Sequence, residues 1–398
     1  MSARPFRIVI SAGELSGDEH GAALISALKL LSPSAEVRGM GGRNLRAAGV
    51  DTVLDCEKSG SIMGFALVVR SIRKIFSALN TMKDLISSWR PDVLVLVDYP
   101  DFNLRLAKFA KRLGIKVFYF IPPKMWAWRS GRVELFKKYV DSVGLIFPFE
   151  RDFFLAHGYQ HATFVGHPFV ETLRSAESRQ ELREEFCATH ALDPRKQMLA
   201  LLPGSRWFEI EKHLEPALKA VHILQNRRPD LQCVIAVAPS IDIAKLRSRI
   251  SPDARVTIIP GQALDLMRVA DAGLLKSGTS NLQAVFVGLP VVTFYIGSKF
   301  SEIFVRSFVK LKEFTLPNIL RPHTVVELIS HYVQPDMIVT ALEPLLDGSP
   351  RGKVLQDDYK EIVESLRDYD ENPAFAGTTQ AYERAAKLVI QTATPAPR

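Results

Sequence analysis

Phe6–Ala22, FRIVISAGELSGDEHGA, and Met198–Ile210, MLALLPGSRWFEI, share one physical design in the two halves of the chain. Each is an apolar run, a turn of small residues, and the start of a helix. A strand that ends in glycine and serine and feeds a helix leaves backbone N–H groups pointing into the crevice at a parallel sheet's carboxyl edge. Open α/β sheets hold anions and nucleotides there. Two such edges predict an α/β chain of two similar domains facing each other across a cleft.

The alternation continues outward from both stretches. In the first half, strands are predicted at Arg7–Ile10, Asp92–Asp98, Lys116–Ile121, Asp141–Phe147 and Ala162–Val165, with helices over His20–Leu31 and Phe102–Leu113. Near-continuous apolar runs separated by helices indicate a parallel sheet covered on both faces. After a polar, helix-prone stretch from Ser175 to Arg195 the pattern restarts. Strands are predicted at Met198–Leu202, Cys233–Val237, Val256–Ile259, Ala272–Leu275 and Val291–Tyr295. The boundary is expected near Val170 to Ser178, giving domains 1–172 and 173–371. A C-terminal helix over about 372–391 is expected to rejoin the first domain, with residues 392–398 a disordered tail.

A length of 398 residues favours two cores over one. The three cysteines, Cys56, Cys187 and Cys233, match no metal spacing and argue against a disulfide framework, so a reducing cytoplasm is expected. No apolar run has signal-peptide or membrane-spanning character, so the protein is not expected to be integral. The net charge of +8 attracts polyanions. Lacking an RNP-like strand or zinc-knuckle spacing, the chain is not expected to bind nucleic acid. Ile62–Val69, followed by a basic amphipathic run from Arg70 to Leu85, is a candidate for lying in a lipid headgroup layer. So is the face formed by Phe300, Ile303, Phe304, Ser307, Phe308 and Leu311, with Arg306, Lys310 and Lys312 beside it. Both segments read equally well as domain-packing helices.

In the first loop, Gly13 and Gly17 permit close approach of a ligand. Ser16 and Glu19 have capping-box spacing, so Ser16 is either an N-cap or a ligand contact. The loop has neither a dinucleotide fingerprint nor a Walker lysine, which argues against NAD and ATP. Glu14 and Asp18 suit sugar hydroxyls or proton transfer. Asp101 is expected to cap the following helix. Asp98, at a strand's carboxyl end beside Tyr99, is a candidate general base for an alcohol. Trp126 and Trp128 can stack on a sugar, cover acyl chains, or pack in a core. His167 either touches ligand or fixes a turn. Gly204 and Ser205 offer N–H donors, and Arg206 adds a positive charge suited to a diphosphate. Ser277, Gly278, Thr279 and Ser280 repeat that logic, although Ser280 and Gln283 again have capping-box spacing. No acidic pair or His/Cys cluster argues for a metal, and no cofactor is expected.

In order along the chain, SAGELSGDEHGA, GMGGRNLRAAGV (39–50), Met63-Gly64, RPDVLVLVDYPDFN (90–103), KMWAWRSGRV (124–133), FPFE (147–150), FVGHP (164–168), LLPGSRWFEI (201–210), KSGTSNLQ (276–283) and LPNIL (316–320) closely resemble the lipid-A-disaccharide synthases, inverting glycosyltransferases of GT-B architecture. The resemblance implies UDP-2,3-diacylglucosamine as donor and 2,3-diacylglucosamine 1-phosphate (lipid X) as acceptor. It also implies work at the cytoplasmic, inner face of a Gram-negative inner membrane, with a homodimer plausible. Asp98 would then take the acceptor's proton. Gly204, Ser205, Arg206, Ser277, Gly278, Thr279, Ser280, Gln283 and Asn318 would serve the donor. Gly13, Glu14, Ser16, Gly17, Asp18, Met63, Lys124, Trp126, Trp128, Arg129 and His167 would line the acceptor side. The chain departs from the family pattern at Gln283, where the family has a glutamate expected on the ribose hydroxyls, and at Lys124, where it has Gln or Ser. Other readings are a different GT-B UDP-sugar transferase or epimerase, or a weakened, non-catalytic sugar-nucleotide binder.

Overall fold

The computed structural model describes residues 4–56, 68–172, 178–251, 254–297 and 313–367, and near the carboxyl end 375, 377, 378 and 380–394. The chain divides into two compact units, Met1–Pro168 with Leu366–Arg398, and Phe169–Ser365. Met63, most of Ile62–Val69, and the apolar face from Phe300 to Lys312 lie outside the described residues.

Among the described residues the first unit holds seven strands: β1 (Arg7–Ala12), β2 (Glu36–Gly41), β3 (Asp51–Asp55), β4 (Val93–Val97), β5 (Lys116–Phe120), β6 (Ser142–Leu145) and β7 (Ala162–Phe164). They form one sheet in the order β3-β2-β1-β4-β5-β6-β7. The second unit has β8 (Met198–Leu202), β9 (Gln232–Val237), β10 (Val256–Pro260), β11 (Ala272–Lys276), β12 (Val291–Ile296) and β13 (Val326–Ser330), in the order β10-β9-β8-β11-β12-β13. All the pairings are parallel. Both sheets thus run third, second, first, fourth, fifth, sixth. The order reverses between β1 and β4 in one and between β8 and β11 in the other. Such switch points open a crevice at the strands' carboxyl ends.

The central strands are VLVLV (β4) and MLALL (β8), buried along their whole length. Helices cover both faces, so every side chain there faces protein. Three strands went unforeseen. β3 and β13 end their sheets and stay partly exposed, so no continuous apolar run announces them. β2 (EVRGMG) is interrupted by glycines. The first helix begins at Leu15, five residues before His20. The last, Ala381–Ala393, includes Thr392 and Ala393, which were expected in the tail. It packs on the Leu15–Leu31 helix and on β5.

Candidate functional site

At the first unit's switch point β4 ends in a strained turn. Asp98 (φ 47°) and Tyr99 (φ 48°) are successive left-handed residues before the Pro100–Arg112 helix. Each costs about 1–2 kcal/mol against the right-handed form, so the surroundings must hold them. Asn103, fully buried, donates its amide to the carbonyls of Asp98 (2.6 Å), Val97 (3.2 Å) and Ser11 (3.4 Å), and its Oδ1 accepts from the Ser11 hydroxyl (2.7 Å). The buried Tyr119 hydroxyl also donates to the Asp98 carbonyl (2.6 Å). The Tyr99 ring lies over Gly13. A Cβ there would stand 2.3 Å from the ring, so this position requires glycine.

Charged groups gather around this turn. Burial raises the Asp98 pKa, opposed by the Tyr99 N–H and by Lys124. Lys124 reaches solvent, yet surrounding protein lowers its pKa against the pull of Glu150 and Asp98. Glu150 is buried on the Pro148–Ala156 helix, where it accepts from Trp126 Nε1 (3.2 Å) and the Phe147 N–H (3.3 Å). Burial outweighs those bonds and pushes its pKa up to about 7. Trp128 is 51% exposed, with the Arg129 guanidinium 4.5 Å from its ring centroid. The structure therefore brings Gly13, Asp98, Tyr99, Lys124 and Trp126 to one sheet edge.

The capping expectations in this unit are corrected, and several other residues serve packing or backbone bonds. Glu14, not Ser16, is the N-cap, and Ser16 sits exposed in the first turn. The buried Asp18 carboxylate accepts from the N–H groups of Gly42 (2.5 Å), Asn44 (2.9 Å) and Leu45 (3.2 Å). It thereby satisfies the start of the Arg43–Ala47 helix, a structural use of the carboxylate. Gly17 is buried and packs near Ala12 and Val97. Tyr99 stands at the N-cap expected of Asp101, which instead pairs with Arg132 at 2.6 Å. His167 is buried against Phe147, its N–H bonded to the Leu366 carbonyl (2.9 Å). Burial, then His20, lowers its pKa to about 3. Both groups serve the place where the chain rejoins this unit.

In the second unit the turn after β8 is already occupied. Glu209 Oε2 accepts from the N–H groups of Ser205 (2.9 Å) and Arg206 (3.3 Å), and Oε1 pairs with Lys276 Nζ (2.8 Å). Burial pushes the Glu209 pKa up, but Lys276 and the two N–H groups together bring it below the ordinary value. Gly204 (φ 143°) lies so close that a Cβ would meet that of Glu209 at 2.6 Å. The donors expected for a diphosphate thus hold an internal carboxylate, while the Arg206 side chain stays exposed.

The turn after β11 is different. Gly278 is the N-cap of the Thr279–Val287 helix and supplies no side-chain cap, so the Ser280–Gln283 capping box does not form. The Asn281 N–H bonds back to the Gly278 carbonyl (3.2 Å), and the start of the helix lies at exposed Gly278 and Thr279. The Ser277 N–H continues the ladder to Phe294 (3.0 Å). Gln283 is half-buried. Asn318 is buried, its amide bonded to Glu313 (3.2 Å) and to the backbone of Val325 (3.0 and 2.7 Å). That use is structural. Among the described residues no three His, Cys, Asp or Glu side chains are placed to hold a metal, and no helix is long and apolar enough to cross a membrane.

Sequence reasoning passed over Asn103, Tyr119, Glu209 and Lys276. Asparagine in the first turn after a strand was the available signal for Asn103. Glu209, four residues past Ser205, was the signal for the occupied turn.

A sequence model of the lipid-A-disaccharide synthetase family matches residues 8–375. A lipid-A-disaccharide synthase of Geobacter sulfurreducens is 35% identical over 389 residues, covering 97% of each chain. One of Myxococcus xanthus is 36% identical over 394 residues, covering 98% of each. Among solved structures, a UDP-glucosyltransferase from Polygonum tinctorium superposes with a TM-score of 0.61 at 15% identity over all of both chains. A UDP-GlcNAc 2-epimerase from Neisseria meningitidis gives 0.55 at 13%, over 90% of this chain and 98% of that one. These structural likenesses show the fold, that of the GT-B class.

Proposed function

The chain belongs to the lipid-A-disaccharide synthetase family, and from that membership we propose a mechanism in which Asp98 deprotonates the acceptor alcohol. The enzyme is a hexosyltransferase of lipid A biosynthesis. It condenses UDP-2,3-diacylglucosamine with 2,3-diacylglucosamine 1-phosphate to the β-1,6-linked disaccharide 1-phosphate and UDP. In this reading the acceptor's O6 attacks the donor's C1, its proton passes to Asp98, and the C1–O bond breaks with its electron pair leaving on UDP. A single in-line displacement inverts the anomeric centre. The carrying observation is the Asp98 carboxylate, half-buried beside Lys124 at the end of β4. Burial raises its basicity, which suits a general base.

The donor's diphosphate is assigned to the start of the Thr279–Val287 helix and to the exposed Arg206 side chain, since charge grows on the leaving group in the transition state. Gln283 would face the ribose. Lys124, Trp126, Trp128 and Arg129 would meet the acylated, phosphorylated acceptor. Peripheral association with an anionic membrane, at the inner face of the inner membrane, is supported by the net charge of +8. On the Val68–Trp89 helix, Arg73 and Lys74 are exposed beside Phe76, itself 49% exposed. Homodimerisation rests on the family resemblance, and light scattering reads it directly.

Purified protein incubated with both acylated substrates should yield the disaccharide by mass, together with UDP. Replacing Asp98→Asn should lower turnover about 1,000-fold while UDP affinity stays within about twofold. Near-normal turnover in that variant removes Asp98 from the base role.

A further inference from the structure

One buried asparagine holds the switch-point turn in each unit. Asn103 ties the carbonyls of Val97 and Asp98 to the Ser11 hydroxyl of the neighbouring strand β1. In the second unit Asn281 is fully buried as well. Its amide donates to the carbonyls of Lys276 (3.1 Å) and Gly278 (3.1 Å), and its Oδ1 accepts from the Thr293 hydroxyl of the neighbouring strand β12. Each asparagine lies in the first turn of the helix that follows the fourth strand of its unit. The carbonyls it serves stand where a strand gives way to a helix, so ladder partners run out. An amide can accept from a hydroxyl while donating to two carbonyls, which serine, aspartate and leucine cannot do.

Asn103 carries an additional burden. Two successive left-handed residues are costly, so surrounding contacts must hold them. Asn103 and Tyr119 converge on the one at Asp98, both at 2.6 Å. With that carbonyl held, the backbone from which the Asp98 carboxylate projects is held too, and the carboxylate acts on the Tyr119 hydroxyl and feels the Lys124 charge.

We propose that Asn103 is the positioning residue for the Asp98 carboxylate, and that Asn281 does the same for the loop 277–280. The inference rests on the reading of Asp98 as base and of that loop as the donor's seat. Each asparagine sets its own loop, so the two substitutions should separate kinetically. Replacing Asn103→Ser should lower kcat about 30-fold, with both KM values and UDP affinity within about twofold, since a displaced base leaves ground-state binding intact. The Tyr119→Phe variant should follow in the same direction by about fivefold. By contrast, Asn281→Ser should weaken UDP binding about tenfold in titration calorimetry. An unchanged kcat in Asn103→Ser, or a loss of UDP affinity there matching that of Asn281→Ser, overturns the proposal. If Asn103→Ser fails to fold, unchanged kcat in Tyr119→Phe overturns it instead. The Asp98→Asn variant is assayed alongside. Its inactivity beside a normal Asn103→Ser sinks this inference alone, whereas its full activity sinks the base reading.

Discussion

Glu150 shows how burial changes what one residue does. Its carboxyl is favoured in the charged form by bonds from Trp126, Phe147 and Ile146 and by the Lys124 charge, yet desolvation wins and the pKa rises from 4.5 to about 7. A carboxyl whose folded pKa is raised binds its proton more tightly in the native state. Stability therefore falls as pH climbs from about 4.5 to about 7, because the unfolded chain ionises first. Replacing Glu150→Gln should flatten that slope and leave the variant about 1–3 kcal/mol more stable than the parent at pH 8, relative to their difference at pH 4.5. Parallel pH dependences in denaturant titrations of the two proteins would contradict this. Much at this scale was legible in the sequence. Asp98 was marked because a carboxylate at a strand's carboxyl end beside a tyrosine has an evident chemical use. The left-handed backbone that presents it was not legible, because neither Asp98 nor Tyr99 is a glycine announcing positive φ.

Capping illustrates the limits of local reading at the scale of elements. Spacing offered Ser16, Asp101 and Ser280 as caps, and in each case the helix begins elsewhere. Local caps do form at Ser178, Asp242 and Thr315, but at the two site-bearing stretches the acceptors are other side chains. Asp18 serves the Arg43–Ala47 helix across the fold, and Glu209 takes the N–H groups of Ser205 and Arg206 just ahead of Trp207–Arg227. A contact between segments distant in sequence leaves no periodic trace. Replacing Asp18→Ala leaves three N–H groups without their acceptor and should cost about 2 kcal/mol, read as a lowered Tm. Turnover per folded molecule, measured well below that Tm, should remain within about twofold. A collapse of kcat at unchanged Tm would return Asp18 to the chemistry.

For the whole molecule, the net charge of +8 and the acylated substrates together support the proposed membrane association. Exposed basic groups attract an anionic surface through a field that 0.15 M salt screens within about 8 Å. Binding to vesicles of anionic phospholipid should therefore fall about tenfold or more between 50 and 500 mM salt, measured by co-sedimentation. Salt-independent partitioning would leave apolar insertion as the attraction. At this scale the sequence determined that there are two parallel α/β units of like element order, because buried strands need unbroken apolar runs and helices need their own period. It also determined the family, through motifs kept in order along the chain. Tertiary structure decided which polar groups remain for substrate. It bonded the Ser205 and Arg206 N–H groups to Glu209 and the Asn318 amide to Val325, and it fixed Asp98 with Asn103 and Tyr119. The reason is physical: a buried donor or acceptor takes whichever partner folding brings within 3 Å or so, and that partner is set by the path of the chain rather than by sequence spacing.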